Sequence, residues 1–367
     1  MRIAFLHIAN NPHIIARAKF FLNAGHEVYC LSPPLNGGHD IPAGVELLIL
    51  YPPKIIARFR ILKVLANILM VRRMVRLHNI DILHVMWLGY AVYALFSKAK
   101  VQVFENMGSD VLVWPQQSFL WRIFIRFSYR FADAVIQDSE VAQIAGIKYG
   151  APRKNNQIIE VGVDFSVFNQ QIKKGIARQK LGLTPEQKFI FSPRSFTELY
   201  NIDTIITSIK KVKEEIPNAV FVFCKFFGDL ESEYIEFIEQ EGVQNDVIFA
   251  GFLDNELELP FYYRDSDVVI SVPSSDSSPR TVYEAMACGS PVVVSELPWY
   301  HKKFVNKQDL LSVPIKNPED LADAIIAILR KDITIDTKSA SEKVYQKINA
   351  TSENKKLEAL YSSLLTS

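Results

Sequence analysis

The sequence predicts an α/β protein with two doubly wound domains facing a cleft. Short, continuously apolar runs alternate with longer amphipathic ones along almost the whole chain, the pattern of parallel strands covered on both faces by helices. The rhythm stops in a polar stretch, 169–185 (NQQIKKGIARQKLGLTP), and then restarts. A length of 367 residues suits roughly two domains of ordinary size.

The elements follow in order. Residues 2–8 (RIAFLHI) carry one charge and an apolar run broken at His7, which reads as a buried first strand rather than a secretion signal. Apolar runs at 27–32, 45–50, 82–87, 101–105, 134–137 and 157–161 give the remaining strands of the first series. Amphipathic patterns at 12–23, 55–78, 90–97, 119–131 and 140–149 supply helices between them. The second series has strands at 189–193, 219–224, 247–250, 268–272, 291–295 and 311–313, with helices at 202–215, 232–241, 256–263, 281–287 and 318–330. The last of these opens on Asn317-Pro318-Glu319-Asp320, a cap, an N-terminal proline and acids against the helix dipole. Residues 354–365 are amphipathic again. The expected domains are 1–168 and 186–345, with 169–185 as linker and 346–367 as a C-terminal helix.

Composition narrows the functional classes. Apolar residues make up 49 % and charged residues 22 %, which excludes wholesale disorder. Lys plus Arg (41) balance Asp plus Glu (40), so no global basic field argues for nucleic acid. Cys30, Cys224 and Cys288 have no paired spacing, which fits a reducing cytoplasm better than a disulfide scaffold. The histidines form no zinc pattern, and His7 and His84 read as satisfied residues at strand ends, against the alternative of a role in the cleft. No uncharged apolar stretch reaches the ~18 residues of a spanning helix. The absence of G-x-G-x-x-G disfavours a nicotinamide dehydrogenase. Asp265-Ser266-Asp267 has the spacing of a metal-binding D-x-D, but it lies between a helix and a strand, where aspartates cap and turn.

The segment 268–296 (VVISVPSSDSSPRTVYEAMACGSPVVVSE) carries the chemistry. A strand runs into a Ser/Asp/Pro loop, and a helix opens near Thr281, so amides at its start offer an anion site beyond the sheet. Asp276 and Glu284 flank this turn, and carboxylates accept hydrogen bonds from paired sugar hydroxyls. Arg280 could add a charge-assisted phosphate contact. The plainer alternative is a capping Asp276 and a solvated Glu284, but Ala285, Met286, Ala287, Cys288 and Gly289 imply tight packing around that glutamate.

Asp276 through Ser295, an acid, seven residues and then Glu-Ala-Met-Ala-Cys-Gly-Ser-Pro-Val-Val, resembles the signature of the family-four retaining glycosyltransferases, whose fold is GT-B, two Rossmann-like domains. The likeness extends along the chain through Gly25-His26-Glu27-Val28, Asp81-Ile82-Leu83-His84, Gly108-Ser109-Asp110-Val111, Ala132-Asp133-Ala134-Val135 and Gly162-Val163-Asp164 followed by Phe168. Arg194 fits the family's arginine after the first strand of the second domain, while its usual lysine position falls at about Leu199, with Lys225 as the expected substitute. Ala9-Asn10-Asn11-Pro12 stands in place of the Gly-rich first loop, and Asn106 or Met107 in place of the histidine that contacts the donor sugar.

The resemblance implies transfer from a nucleoside-diphosphate sugar without a bound metal or other cofactor. It puts Arg194, Lys225 and amides near 279–281 on the diphosphate, Glu284 on the ribose and Asp276 on the transferred sugar. Ser278, Pro279, Arg280 and Thr281, with Asn10, Asn106 and Gly108 from the first domain, complete the implied donor site. The second domain would bind the donor and the first the acceptor, a glycan or lipid-linked molecule of the cell envelope, with the C-terminal helix crossing back to the first domain. The rival readings are a sugar-nucleotide-binding protein without transfer activity and a sugar-nucleotide epimerase of the same fold.

Local charge adds a candidate partner. Residues 47–80 hold no acid but include Lys54, Arg58, Arg60, Lys63, Arg72, Arg73 and Arg76, among large apolar residues. Residues 111–132 also lack acids and place Arg122, Arg126 and Arg130 at four-residue steps. Such segments suit an anionic membrane surface, against the alternative of a helix packed on the sheet with a solvated basic edge.

Overall fold

The structure, a computed structural model, describes residues 1–35, 41–224 and 230–366. The chain divides into two compact units, Met1–Val161 with Ala350–Ser367, and Gly162–Asn349. The stretch expected as a linker is part of the second unit, because it folds into a helix whose Ala177 is buried in that unit's core.

In the first unit the order is β1 (Arg2–Leu6), α1 (Pro12–Asn23), β2 (Glu27–Ser32), β3 (Glu46–Ile49), α2 (Lys54–Ala57), α3 (Arg60–Leu77), β4 (Ile82–Met86), α4 (Ala91–Ala94), β5 (Val101–Glu105), α5 (Ser109–Leu112), α6 (Trp114–Gln117), α7 (Phe119–Ser128), β6 (Ala134–Gln137), α8 (Glu140–Lys148) and β7 (Asn156–Ile158). The second unit contains α9 (Ile176–Leu181), β8 (Lys188–Ser192), α10 (Ile202–Glu215), β9 (Ala219–Cys224), α11 (Glu231–Gln240), β10 (Val247–Gly251), α12 (Leu259–Asp265), β11 (Val268–Ser271), α13 (Arg280–Ala287), β12 (Val292–Ser295), β13 (Leu311–Val313), α14 (Pro318–Arg330) and α15 (Thr337–Lys347). The last helix, α16 (Ala350–Thr366), joins the first unit.

Among the described residues, the first sheet runs β3-β2-β1-β4-β5-β6-β7 and the second β10-β9-β8-β11-β12-β13, with parallel pairing throughout. Successive strand residues bury on opposite faces: Phe189 and Phe191 of β8 enter one core and Ile190 the other. Each sheet has one point where the strand order reverses, β1/β4 in the first unit and β8/β11 in the second. In doubly wound sheets ligands sit beyond the carboxyl ends of the strands at such a point.

Several boundaries differ from expectation for identifiable reasons. The helix expected at 55–78 is split, because Phe59 takes an extended backbone (φ −105°, ψ 111°) between α2 and α3. The helix expected from 256 begins at Leu259, where Pro260 occupies the first turn. The α9 helix starts under a cap that is distant in sequence: Asp265 accepts the amides of Gly175, Ala177 and Arg178 at 2.5, 2.7 and 3.2 Å. Asp267 pairs with Arg178 at 2.6 Å, so both carboxylates of the D-x-D serve the fold. Among the described residues no helix is long and apolar enough to cross a membrane.

Candidate functional site

The loops leaving β8 and β11, the strands that flank the reversal point of the second sheet, meet each other. Asn201, in the left-handed region (φ 49°), donates from Nδ2 to the carbonyl of Val272 at 2.9 Å. The Ser274 hydroxyl donates to Asn201 Oδ1 at 3.0 Å, and the Ser274 amide donates to the Leu199 carbonyl at 2.9 Å. These bonds hold two otherwise irregular loops in one register, which fixes the side chains they carry.

Arg194 lies at the centre. Its guanidinium stacks over the Tyr200 ring, 4.3 Å from the centroid, donates from Nη1 to Thr281 Oγ1 at 2.9 Å and forms an ion pair with Asp276. The residue is 9 % exposed, and its Nε is buried without an acceptor among the described residues. Burial opposes the charge on this guanidinium, but the Asp276 carboxylate, together with Tyr200 and Tyr263, turns the balance and raises its pKa above the usual value.

One turn further, Glu284 is 1 % exposed, which rules out the solvated-glutamate alternative. Its Oε1 accepts from Arg280 Nε at 2.7 Å, and the Tyr263 hydroxyl lies 3.5 Å from Oε2. Burial raises its carboxyl above the usual range, with Arg280 pulling the other way. The i,i+4 spacing on α13 makes Arg280 the cover of this carboxylate.

The structure thus gathers Arg194, Asp276, Arg280, Thr281 and Glu284 in the second unit, with Ser278 and Pro279 on the loop that leads into α13. Lys225 lies outside the described residues. Leu199, at the position of the family's lysine, sits half-buried on the turn Glu198–Tyr200 and brings no charge. Asn10, Asn106 and Gly108 lie in the first unit. Asn10 is half-buried in the turn before α1, whose cap is its neighbour Asn11. Asn106 is fully buried, donating to Gln137 Oε1 at 2.5 Å and accepting from the Tyr129 hydroxyl at 3.1 Å, so its amide is committed within that unit. Gly108 precedes α5 with φ 86°, a conformation that favours glycine.

Sequence reading missed Tyr200, Asn201 and Tyr263. The string Leu199-Tyr200-Asn201-Ile202-Asp203 carried a signal for Asn201, a small polar residue before an apolar helix start. Tyr200 and Tyr263 had none, since their role depends on which loop they face. In the first unit the Gly-Ser-Asp loop places Asp110 as a buried staple, accepting the amides of Leu88 and Met107 at 3.0 Å each. Burial pushes its carboxyl up to about 7 against these amides.

Comparison with known proteins agrees with this architecture. The family model described as "Glycosyl transferases group 1" matches residues 173–347, and "Glycosyl transferase 4-like" matches residues 2–139. The chain is 25 % identical over 236 residues to the alpha-monoglucosyldiacylglycerol synthase of Streptococcus pneumoniae, covering 62 % of this chain and 52 % of that protein. It is 25 % identical over 256 residues to a sulfoquinovosyl transferase of Arabidopsis thaliana, covering 67 % and 48 %. The matches span about half the length of these curated relatives. Among solved structures, HepE of Anabaena in complex with UDP and glucose aligns with a TM-score of 0.79 at 19 % identity, covering 99 % of this chain and 100 % of that one. The sucrose-phosphate synthase of Thermosynechococcus elongatus aligns at 0.81 and 17 %, covering 99 % of each chain. At these identities the likeness shows the fold, which is GT-B. With both of its units matched by family models, the chain belongs to the group 1, family 4 glycosyltransferases.

Proposed function

We propose that the protein is a retaining glycosyltransferase that moves a sugar from a nucleoside-diphosphate sugar to a glycan or lipid-linked acceptor of the cell envelope. The second unit holds the donor, the first the acceptor, and neither a metal nor another cofactor takes part. It works in the cytoplasm, peripherally on the inner face of the membrane. The observation that carries the reading is the meeting of Arg194, Thr281 and Asp276 at the strand reversal of the second sheet. Family membership supports it, as does the Anabaena neighbour, whose structures hold UDP and UDP-glucose.

A diphosphate at this point competes with Asp276 for the Arg194 fork and adds the amides at the start of α13. Lys225 supplies the second cation in place of the lysine absent at Leu199. Glu284, once Arg280 swings off it, accepts the ribose hydroxyls, and the released Asp276 accepts hydroxyls of the sugar. In the transfer, the bond between the anomeric carbon and the diphosphate oxygen breaks. The acceptor oxygen bonds to the same face of that carbon, and its proton passes to the departing phosphate. Arg194 and the amides stabilise the charge that develops there, about 3–4 kcal/mol for each well-placed donor.

The uncharged Leu199 at the position of the family's lysine favours a second reading, binding without transfer, because one cation fewer faces the charge that develops on the departing diphosphate. Thermal protection by a panel of nucleoside diphosphates and their sugars, followed by sugar release or transfer, separates the two. A ligand at a hundred times its dissociation constant stabilises by about 2.7 kcal/mol. Protection without turnover selects the second reading, and Arg194→Ala and Glu284→Ala that leave both readouts unchanged remove the site assignment.

A further inference from the structure

The second unit carries a groove at the far end of the helix that opens the candidate site. The helix α13 leaves the carboxyl edge of the sheet at Arg280 and ends at Ala287, on the return toward the amino end of β12, because β11 and β12 run parallel. Ala287 lies about 10 Å along the helix axis from Arg280. It lines a groove of about 460 Å³, a size within the range of small-molecule sites. One wall is a face of α15, where Lys338, Ser341, Glu342, Tyr345 and Gln346 recur at steps of three and four. The other is the turn that carries Phe165 and the chain from Asn169 to Gln171.

These walls are fixed by bonds among themselves. The Ser341 hydroxyl donates to the Ala287 carbonyl at 3.2 Å and ties α15 to α13. Arg264 donates from Nε to the Ile172 carbonyl at 3.3 Å and from Nη1 to the Cys288 carbonyl at 3.2 Å, which joins the loop to the same helix end. Asn169 donates to the Phe165 carbonyl at 3.1 Å and accepts the Gln171 amide at 3.0 Å. Gln170 packs over Gly289, where an added Cβ would come within 3.1 Å of its Cγ. A groove held in this way loses little freedom when a ligand enters.

The groups left over decide the ligand. Among the described residues, the side chains of Gln171, Lys338, Glu342, Tyr345 and Gln346 have no hydrogen-bond or ion-pair partner. The Tyr345 ring is 57 % exposed and packs edge-on with Phe165, centroids 5.0 Å apart, so it is braced and still open to solvent. Lys338 and Glu342 are the charged groups among the described residues that line the groove, and their charges cancel. An anion meets Glu342 here and a cation meets Lys338, so neither is selected. The described lining includes no strand edge for an extended peptide, and its polar rim gives no apolar seat for a helix. An aromatic ring beside a carboxylate, an ammonium and carboxamides suits a pyranose, whose C–H face lies on the ring and whose hydroxyls both donate and accept.

We propose that this groove is a second saccharide site, apart from the residues around Arg194, and that it holds a neutral pyranose, free or as a unit of a longer glycan. Tyr345 takes the face of the sugar ring, Glu342 accepts from adjacent hydroxyls, and Lys338, Gln171 and Gln346 donate to their oxygens. The inference does not depend on the sugar-transfer reading, because the groove borders the opposite edge of the sheet from Arg194.

The test is saturation-transfer NMR on the full chain with neutral gluco-, galacto- and manno-oligosaccharides, as disaccharides and as hexasaccharides, beside an oligogalacturonate and inorganic phosphate. Transfer to a neutral sugar that persists when a nucleoside diphosphate is added is expected. Tyr345→Ala should weaken that binding about tenfold and Tyr345→Phe should retain it. Glu342→Ala with Gln346→Ala should weaken it by a similar factor through other exposed positions, and all three proteins should keep the melting temperature and nucleotide protection of the wild type. Equal affinity for disaccharide and hexasaccharide upholds the site with a free sugar as its ligand, and affinity that grows with chain length upholds it with a glycan. The proposal is overturned if no neutral sugar binds, if binding survives both sets of variants, or if a nucleoside diphosphate displaces the sugar. Tighter binding of phosphate or oligogalacturonate than of any neutral sugar overturns it as well.

Discussion

Arg194 and Asp276, eighty-two positions apart in sequence, form an ion pair in which both side chains are nearly buried, on the two loops that leave the strands at the reversal point of the second sheet. Asp276 is the strongest charge acting on Arg194, so an anion that uses Arg194 competes with Asp276 for it. Asp276→Asn removes that competitor. The free variant should melt lower, because a buried guanidinium without its counter-charge costs about 3–5 kcal/mol. Its thermal protection by nucleoside diphosphates should be larger than that of the wild type, with transfer slowed. Unchanged protection would place the ion pair off the donor's path.

Arg280 covers Glu284, and its removal should show a definite pH signature. The Glu284 carboxyl is already raised above 4.5 by burial, so the folded chain holds a proton that the unfolded chain releases, and stability falls as pH rises through 4.5. In Arg280→Ala the carboxyl rises further, and the deficit should be small near pH 4 and grow to about 3 kcal/mol at neutral pH. Thermal melts of both proteins across this range measure it; a deficit independent of pH would mean that Arg280 acts by packing alone.

A second buried network should govern acid stability. Glu105 accepts from Arg17 at 2.7 Å and lies 3.0 Å from His84 Nε2, and His84 Nδ1 meets the Tyr361 hydroxyl of α16 at 2.5 Å. Burial opposes the charge on Glu105, but Arg17 and then His84 hold it at about 2. The stability this contributes is complete above 4.5 and lost as pH falls from there to about 2, on the order of 3 kcal/mol. Glu105→Gln should melt lower at neutral pH and lose that acid dependence, as followed by circular dichroism.

Gly89 supports the aromatic cluster at the end of β4. An added Cβ would come within 2.0 Å of the Trp87 indole, which packs edge-on against Trp114 at 5.4 Å and near Trp121 at 6.1 Å between ring centres. Trp87 holds φ at 66°, a strained value for so large a residue, so the ring has little freedom to yield. Gly89→Ala should destabilise the chain by about 1–3 kcal/mol and change the tryptophan emission, without altering nucleotide protection in the second unit. Wild-type melting would show that the cluster can rearrange.

Much of this was legible because periodicity is local. The strand at 219–224 and the helix at 318–330 were expected at the bounds they have, and Asn317 caps that helix through Asp320 at 3.0 Å, as its motif implied. The Asp276 to Ser295 signature located the loop and helix of the site. What resisted reading depended on remote partners. The α9 helix within the expected linker takes its cap from Asp265, eighty-eight residues from Ala177. The break at Phe59 has no local marker. The expected metal-free chemistry and the role of Lys225 remain proposals.

By itself the amino-acid order determined two strand–helix series, their fold class and the Ser/Asp/Pro loop of the candidate site, because alternation and capping are written within a few residues. Only the tertiary structure decided that Arg194 meets Asp276, that Arg280 covers the buried Glu284, and that α3 and α7 turn a second apolar face outward. Those outcomes follow from which loops the sheet order brings together and how much surface the packed helices leave uncovered, and neither quantity has a signature in any short stretch of chain.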